Sequence, residues 1–133
     1  MLINLIGIAI SVLKYKFFGI RTPIVASIGV TSKCNLKCEY CYAEVDNLNG
    51  KDWPFEDLTK IIDQLHAMGT RVIMLQGGEP LLHTRIDDII EYVKSKNIYC
   101  SITTNSYTFS KHLDALKKLD QVQLSVDGNR EIM

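Results

Sequence analysis

The chain alternates between short apolar runs and longer segments in which apolar residues recur at helical spacing. Four short runs are present, and the first of them is apolar and partly β-branched, as a strand buried on both faces would be. These four runs are residues 23–31, 71–76, 98–104 and 121–126. The helical patterns lie between them, at residues 54–68, 86–96 and 109–119. The sequence therefore predicts the order βαβαβαβ from residue 23 onward.

The spacing of these elements indicates how the strands pair. The strand–helix units repeat at about 30 residues, the length of a βαβ unit with parallel strands and a right-handed crossover. Four strands are too few to close a barrel, so the predicted fold class is α/β, in the form of a partial (β/α) barrel. No helical pattern follows the fourth strand, and we expect residues 23–133 to be a truncated core without its C-terminal strands.

The first 20 residues differ from the rest of the chain. Residues 1–13 carry no charged side chain, and Lys14 and Lys16 follow them. A secretory signal has its positive charges before the apolar run, and a membrane-spanning helix needs about 20 apolar residues. Two interpretations of residues 1–20 remain. The favoured one is a short apolar helix packed on the body; the other is a peripheral membrane helix with both lysines, Phe17 and Phe18 at the headgroups.

The composition of the chain limits the classes of molecule that it is expected to bind. Fifteen basic residues balance fifteen acidic ones, whereas a nucleic-acid-binding protein concentrates Lys and Arg against phosphates. The balance favours a small-molecule or peptide substrate and no nucleic acid. Three of the four cysteines fall within eight residues, which is typical of metal binding rather than of a disulfide framework. Metal-binding thiols predict a reducing compartment, which we take to be the cytoplasm.

The clustered cysteines are Cys34, Cys38 and Cys41. Thiolates suit iron–sulfur clusters, and a set of three leaves one metal position open to a ligand. Cys100 lies within the third predicted strand, and we interpret it as a small buried hydrophobic residue rather than as a fourth ligand.

A structural zinc site is the alternative for these cysteines. It would take a fourth ligand from His66 or His83, but no Cys or His pair lies near the cluster at zinc-finger spacing. We interpret His66 as a surface or boundary residue, and His83 and His112 as solvent-facing residues without partners.

Polar residues follow each of the predicted strands. In parallel α/β folds ligands bind at the carboxyl ends of the strands, so these residues are expected to share one rim. The two glycines after the second strand allow a close approach of the backbone or a positive φ, and the acid after them offers a carboxylate to a cation. The rim residues are Gly77, Gly78, Glu79 and Pro80, then Thr104 and Asn105, and finally Ser125, Asp127 and Gly128.

The cysteine motif resembles the cluster-binding loop of the radical S-adenosylmethionine (radical SAM) superfamily. The spacing is Cys-x3-Cys-x2-Cys with Tyr40 before the last cysteine, and the Gly-Gly-Glu-Pro turn and later rim residues extend the resemblance over residues 23–128. It implies an enzyme whose [4Fe–4S] cluster cleaves S-adenosylmethionine reductively to a 5′-deoxyadenosyl radical, which abstracts hydrogen from substrate. Cys34, Cys38 and Cys41 would ligate three irons, and S-adenosylmethionine would bind the fourth.

The resemblance also implies roles for the other rim residues. Tyr40 would lie against the adenine. Gly77, Gly78 and Glu79 would hold the methionine ammonium, and Asn105, Ser125 and Asp127 would lie near the ribose or the carboxylate. It favours peptide modification or cofactor biosynthesis, with an electron donor such as ferredoxin or flavodoxin. The alternatives are an iron–sulfur electron-transfer module, which needs a fourth ligand, and an inactive cluster-binding fragment.

Overall fold

A computed structural model describes residues 2–41 and 49–126 of the chain, with the backbone alone for residues 2–5. Helix α1 spans Leu2–Phe18, α2 Phe55–Met68, α3 Ile86–Ser95 and α4 Leu113–Leu116. The strands are β1 (Val25–Thr31), β2 (Val72–Gly77), β3 (Tyr99–Thr104) and β4 (Gln121–Leu124). Two 3-10 turns, Pro80–Leu82 and Phe109–His112, precede α3 and α4.

The four strands form one parallel sheet in the order β1-β2-β3-β4. One face of this sheet packs against α2, α3 and α4 and forms the hydrophobic core. In each strand, alternate residues supply that face, because successive side chains of a strand point to opposite sides of the sheet. Its fully buried members include Val30, Ile73, Leu75, Cys100 and Ile102. The predicted α/β class with about four parallel strands is confirmed.

The opposite face of the sheet, here called the inner face, carries uncharged polar side chains at the carboxyl end of the strands. Gly29 of β1 pairs with Gln76 of β2, and Thr103 of β3 pairs with Gln123 of β4. Gly29 of β1 is exposed, so the prediction that the first strand is buried on both faces is wrong. Hydrogen-bonding side chains at these positions suit contact with a ligand or water better than a core.

The helices follow the predicted pattern except for the last. Helix α2 ends as predicted at Gly69, whose φ of 103° is a left-handed cap. The helix predicted over residues 109–119 is instead a 3-10 turn followed by the single-turn α4. The chain must leave the helix early because Asp120 is fixed at the start of β3, where its backbone N–H donates to the Cys100 carbonyl and its carboxylate accepts from the Cys100 N–H.

Helix α1 packs on the body along one narrow side. Among its described side chains, residues 6–18, Ser11 is the only buried one. The favoured prediction of a packed helix is therefore right for that side and wrong for most of its apolar surface, including Phe17 and Phe18, which are 70% and 76% exposed. Within the described residues, every helix is too short or too polar to cross a bilayer.

Candidate functional site

The carboxyl ends of the strands enclose a cavity of about 170 Å³. It gathers the predicted cluster- and cofactor-binding residues that the structure describes and the predicted rim residue Thr104, and three more residues line it: Leu36, Gln76 and Thr103. Asp127 and Gly128 lie outside the described residues. The predicted residues in the cavity wall are Cys34, Cys38, Cys41, Tyr40, Gly77, Gly78, Glu79, Asn105 and Ser125.

The three cysteines of the loop after β1 are unpaired thiols at different depths. Cys34 is buried, Cys38 is half-buried and Cys41 is exposed. The backbone N–H of Leu36 lies 3.4 Å from the Cys34 Sγ and donates to it, which favours the thiolate. Burial nevertheless raises the pKa of the Cys34 thiol above its ordinary value. Metal binding here must therefore displace a proton from Cys34.

Gly77 and Gly78 bring the end of β2 against the start of the cysteine loop. The Gly78 N–H donates to the Thr31 carbonyl at 2.9 Å, and the Glu79 N–H donates to the Lys33 carbonyl at 2.7 Å. A Cβ at Gly77, whose φ is 152°, would lie 2.4 Å from the Thr31 oxygen, and one at Gly78 would lie 2.2 Å from the Lys33 oxygen. Both glycines thus serve backbone-to-backbone contact within the protein, and Gly77 takes the positive φ that the sequence allowed.

Glu79 ties the end of β2 to the end of β3. It is 1% exposed, and its Oε1 accepts from the Leu81 N–H at 3.0 Å and the Thr104 hydroxyl at 2.7 Å. Its Oε2 accepts from the Asn105 N–H at 2.7 Å. A carboxylate has about four acceptor positions, so these three bonds leave room for one donor from a ligand in the cavity.

The Asn105 side chain joins β3 to the cysteine loop. Its Nδ2 donates to the Asn35 Oδ1 at 2.9 Å, and its Oδ1 accepts from the Tyr107 N–H at 3.1 Å. Both ends of the amide are therefore engaged by the protein, one residue from Cys34. Asn105 therefore holds the cysteine loop against the end of β3 and also lines the cavity.

Asp52 holds the base of the cysteine loop, although no local pattern in the sequence pointed to it. Its carboxylate accepts from the Thr31 hydroxyl at 2.7 Å and the Lys33 ammonium at 2.8 Å, and from the N–H and hydroxyl of Thr84 at 3.2 and 3.1 Å. Burial would raise the pKa of Asp52, but the hydrogen bonds from Lys33, Thr31 and Thr84 outweigh burial and keep it well below its ordinary range.

Replacing Asp52 by asparagine is expected to lower the free energy of unfolding at pH 7 by about 2 kcal/mol, since charge-assisted hydrogen bonds are lost. Because the pKa of Asp52 is depressed in the folded state, its contribution is complete above about pH 5 and fades as the pH falls below about 4. Urea unfolding of both proteins at pH 7 and at about pH 2.5 tests this, and the difference between them should be smaller at the lower pH. Asp57→Asn, at an exposed pair with Lys60, should change little. A stability difference independent of pH would contradict this role.

Two histidines differ from the prediction in their burial or in their hydrogen-bond partners. His83 is 3% exposed rather than solvent-facing: its Nε2 lies 2.9 Å from the Trp53 carbonyl, and its Nδ1 accepts from the Arg85 N–H at 3.0 Å. Both ring nitrogens are thus engaged by backbone groups and are not offered to the cysteines. His112 has a partner after all, with its Nδ1 2.8 Å from the Asp87 Oδ1.

The segment of the sequence that forms this cavity matches a known protein family. Residues 28–132 match the model of the radical SAM superfamily. The chain belongs to this family. Radical SAM proteins use a [4Fe–4S] cluster and S-adenosylmethionine, as the resemblance of the cysteine motif implied.

Radical SAM relatives of known name match most of the chain. A probable GTP 3′,8-cyclase of Methanococcus maripaludis is 40% identical over 104 residues, which cover 75% of this chain and 35% of the relative. The structure of Streptococcus suis SuiB bound to its precursor peptide SuiA covers 86% of this chain at 26% identity and a TM-score of 0.68. SuiB bound to S-adenosylmethionine matches at 28% identity and a TM-score of 0.64. The chain spans 35% of the cyclase and 26% of SuiB.

The donor set in the cavity fits the cluster of the radical SAM family. Among the described residues, no three Cys, His, Asp or Glu side chains lie close enough to share a single metal ion. In a [4Fe–4S] cluster each thiolate binds its own iron, so the three ligands need not lie close enough to share one ion. Three unpaired thiols in one cavity wall, beside an open space, are the donors that such a cluster requires.

Gln76 and Thr103 are cavity residues that the sequence analysis missed. They stand on the inner face of β2 and β3, next to the rim, and neither side chain makes a hydrogen bond within the described part of the chain. Their position follows from strand alternation, because Gln76 follows the core residue Leu75 and Thr103 follows the core residue Ile102. A step of one residue from the apolar core position in each strand could have found them in the sequence.

Proposed function

We propose that this chain provides the cluster- and cofactor-binding part of a radical SAM enzyme. The observation that supports it is the single cavity in which three unpaired cysteines meet the Gly-Gly-Glu turn of β2 and the end of β3. In this proposal Cys34, Cys38 and Cys41 hold the [4Fe–4S] cluster. Reductive cleavage of S-adenosylmethionine, which yields methionine and a hydrogen-abstracting 5′-deoxyadenosyl radical, is the chemistry that the cofactors supply when bound.

The protein groups around the cavity have distinct tasks in this proposal. Glu79, with one acceptor position left, receives an N–H of the methionine ammonium, and the Gly77–Gly78 backbone keeps that end of the cofactor near the cysteines. Tyr40, 61% exposed at the cavity, offers its ring to the adenine. Ser125, also in the cavity wall, would lie toward the ribose. Each group positions the cofactor, and the radical chemistry belongs to the cofactor itself.

The substrate side of the proposal rests on the inner face. Gln76 and Thr103 offer amide and hydroxyl groups without a charge, beside the proposed cofactor site. These groups fit an uncharged, hydrogen-bonding part of a small molecule or peptide. The relatives include a probable GTP 3′,8-cyclase, whose name indicates a small-molecule substrate, and SuiB, whose structure holds a precursor peptide. We therefore propose to screen two classes of reaction, cofactor biosynthesis and peptide modification. Free thiols are consistent with a cytoplasmic enzyme that takes electrons from a ferredoxin or flavodoxin.

The iron–sulfur electron-transfer alternative is weaker, because its fourth ligand would have to be Cys100. That residue is fully buried on the helix-facing side of β3, within the core and away from the cavity wall. Burial raises the pKa of its thiol to about 12, which opposes the thiolate that iron needs.

The test is anaerobic reconstitution with iron and sulfide, followed by reduction and electron paramagnetic resonance. We expect about four irons per chain and a [4Fe–4S]⁺ signal that changes when S-adenosylmethionine is added. Cys38→Ala should lose the signal and most of the iron, and Cys100→Ala, the matched control, should keep both. A signal indifferent to S-adenosylmethionine and lost in Cys100→Ala would establish the electron-transfer alternative. Zinc binding without a cluster would overturn both.

A further inference from the structure

Helix α1 carries an exposed apolar stripe that the cavity and its cofactors do not use. The stripe consists of Ile6, Ile10, Leu13 and Phe17, which are 57%, 47%, 51% and 70% exposed. Their spacing of four, three and four residues places them on one side of the helix. Large apolar side chains aligned in this way on a surface helix mark an interaction site.

The side of α1 that meets the body is different and includes the small residues Gly7 and Ser11. Arg71 packs at Gly7, where an added Cβ would lie 2.5 Å from the Arg71 Nε, and Ser11 is 7% exposed. At 3.6 residues per turn, Gly7 and Ser11 lie about 110° around the helix from the centre of the stripe. The body therefore covers the small-residue side and leaves the stripe outward.

Positive charges flank the stripe on both sides. Lys14 lies about 70° from its centre in one direction and Lys16 about 90° in the other, and both are exposed. Arg21, also exposed, follows the helix, and the sequence has no Asp or Glu before Glu39. An apolar stripe between lysines, with aromatic rings near the same end, has the layout of a helix that lies in a lipid interface.

We propose that α1 docks the protein on an anionic lipid bilayer, with the stripe among the acyl chains and Lys14 and Lys16 at the headgroups. A second copy of α1 is a poorer occupant, because two stripes face to face would bring lysines together with no acid to pair with them. At 17 residues α1 is too short to span a bilayer, so it lies in the plane. It contacts Arg71 at the amino end of β2, opposite the cysteines, so docking leaves the cavity accessible.

Vesicle flotation of the full chain tests this proposal. We expect binding to phosphatidylcholine vesicles that contain about 30% phosphatidylglycerol, weaker binding to phosphatidylcholine alone, and loss of the difference at roughly 0.5 M salt. Lys14→Ser with Lys16→Ser should weaken binding to the anionic vesicles about 25-fold, at about fivefold per lysine. Phe17→Ser should weaken binding to both vesicle types by about tenfold or more.

Matched control variants distinguish vesicle binding through the α1 stripe from nonspecific adsorption of the protein to vesicles. Lys60→Ser with Lys117→Ser removes two exposed lysines elsewhere, and Tyr107→Ser removes a 79% exposed ring. Neither should change flotation, and unfolding curves should show every variant folded. Absence of flotation, or equal flotation of the α1 variants and the parent, would overturn the proposal. A dimer in solution that Phe17→Ser dissociates, without vesicle binding, would assign the stripe to a second copy instead.

Discussion

Replacing Gly78 by alanine is expected to abolish cluster loading and to lower the free energy of unfolding by about 3 kcal/mol. The added Cβ would lie 2.2 Å from the Lys33 carbonyl oxygen and 3.1 Å from the Cys34 Cβ. The nearest obstacle is backbone, which cannot move aside as a flexible side chain can. The cysteine loop must therefore shift away from β2, and the hydrogen bond from the Glu79 N–H to Lys33 must lengthen or break.

The comparison for Gly78→Ala is Gly29→Ala on the inner face of β1. A Cβ at Gly29 would meet nothing within 4 Å, so the substitution adds no clash. Alanine in a strand interior costs less backbone entropy than glycine, and a gain of about 0.5 kcal/mol is expected. Iron content after reconstitution and urea unfolding would be measured for both variants. Full iron loading in Gly78→Ala would show that the loop does not depend on this contact.

Replacing Glu79 by alanine is expected to lower the free energy of unfolding by about 4 kcal/mol and to abolish binding of S-adenosylmethionine. The substitution leaves three buried donors without an acceptor, the N–H groups of Leu81 and Asn105 and the Thr104 hydroxyl. Each unsatisfied buried donor costs about 1–3 kcal/mol. The ends of β2 and β3 would lose the group that joins them, and the cavity between them would lose its shape.

Glu79→Gln separates the charge of this residue from its shape. An amide oxygen in the Oε1 position can still accept from Leu81 and Thr104, but the amide NH₂ would face the Asn105 N–H. About half of the stability loss is expected, with binding of S-adenosylmethionine still strongly reduced, because no carboxylate remains for its ammonium. Urea unfolding and calorimetric titration measure the two effects.

Glu56→Ala, which removes a carboxylate that is 70% exposed, is the control for the Glu79 variants and should change stability by about 0.5 kcal/mol at most. If Glu79→Ala were as stable as Glu56→Ala, the carboxylate would not be the group that joins β2 to β3. If Glu79→Ala lost stability but bound S-adenosylmethionine normally, the cofactor role proposed for Glu79 would be wrong.

The predicted site depended on residues close together in the sequence, and these could be read before any fold was known. The three cysteines lie within eight positions, and the Gly-Gly-Glu-Pro turn is contiguous. Hydrophobic period distinguishes strand from helix in segments of this length, so the ends of the four strands, α2 and α3 were predicted to within two residues. The parallel order then brought the rim residues together, because the carboxyl ends of parallel strands share one edge of the sheet.

The contacts that hold this site in shape lie far apart in the sequence, and only the tertiary structure shows them. Asp52 reaches Thr84 across 32 residues, and Asn105 reaches Asn35 across 70. Neither pair has a local pattern, since such contacts depend on how strands and loops stack and not on spacing along the chain. The same holds for the outward stripe of α1: its apolar residues are evident in the sequence, but which side the body covers depends on the small residues Gly7 and Ser11 meeting the amino ends of the strands. The sequence by itself thus determined the elements and the chemistry of the donors, and the packing of distant segments decided which groups hold those donors in place.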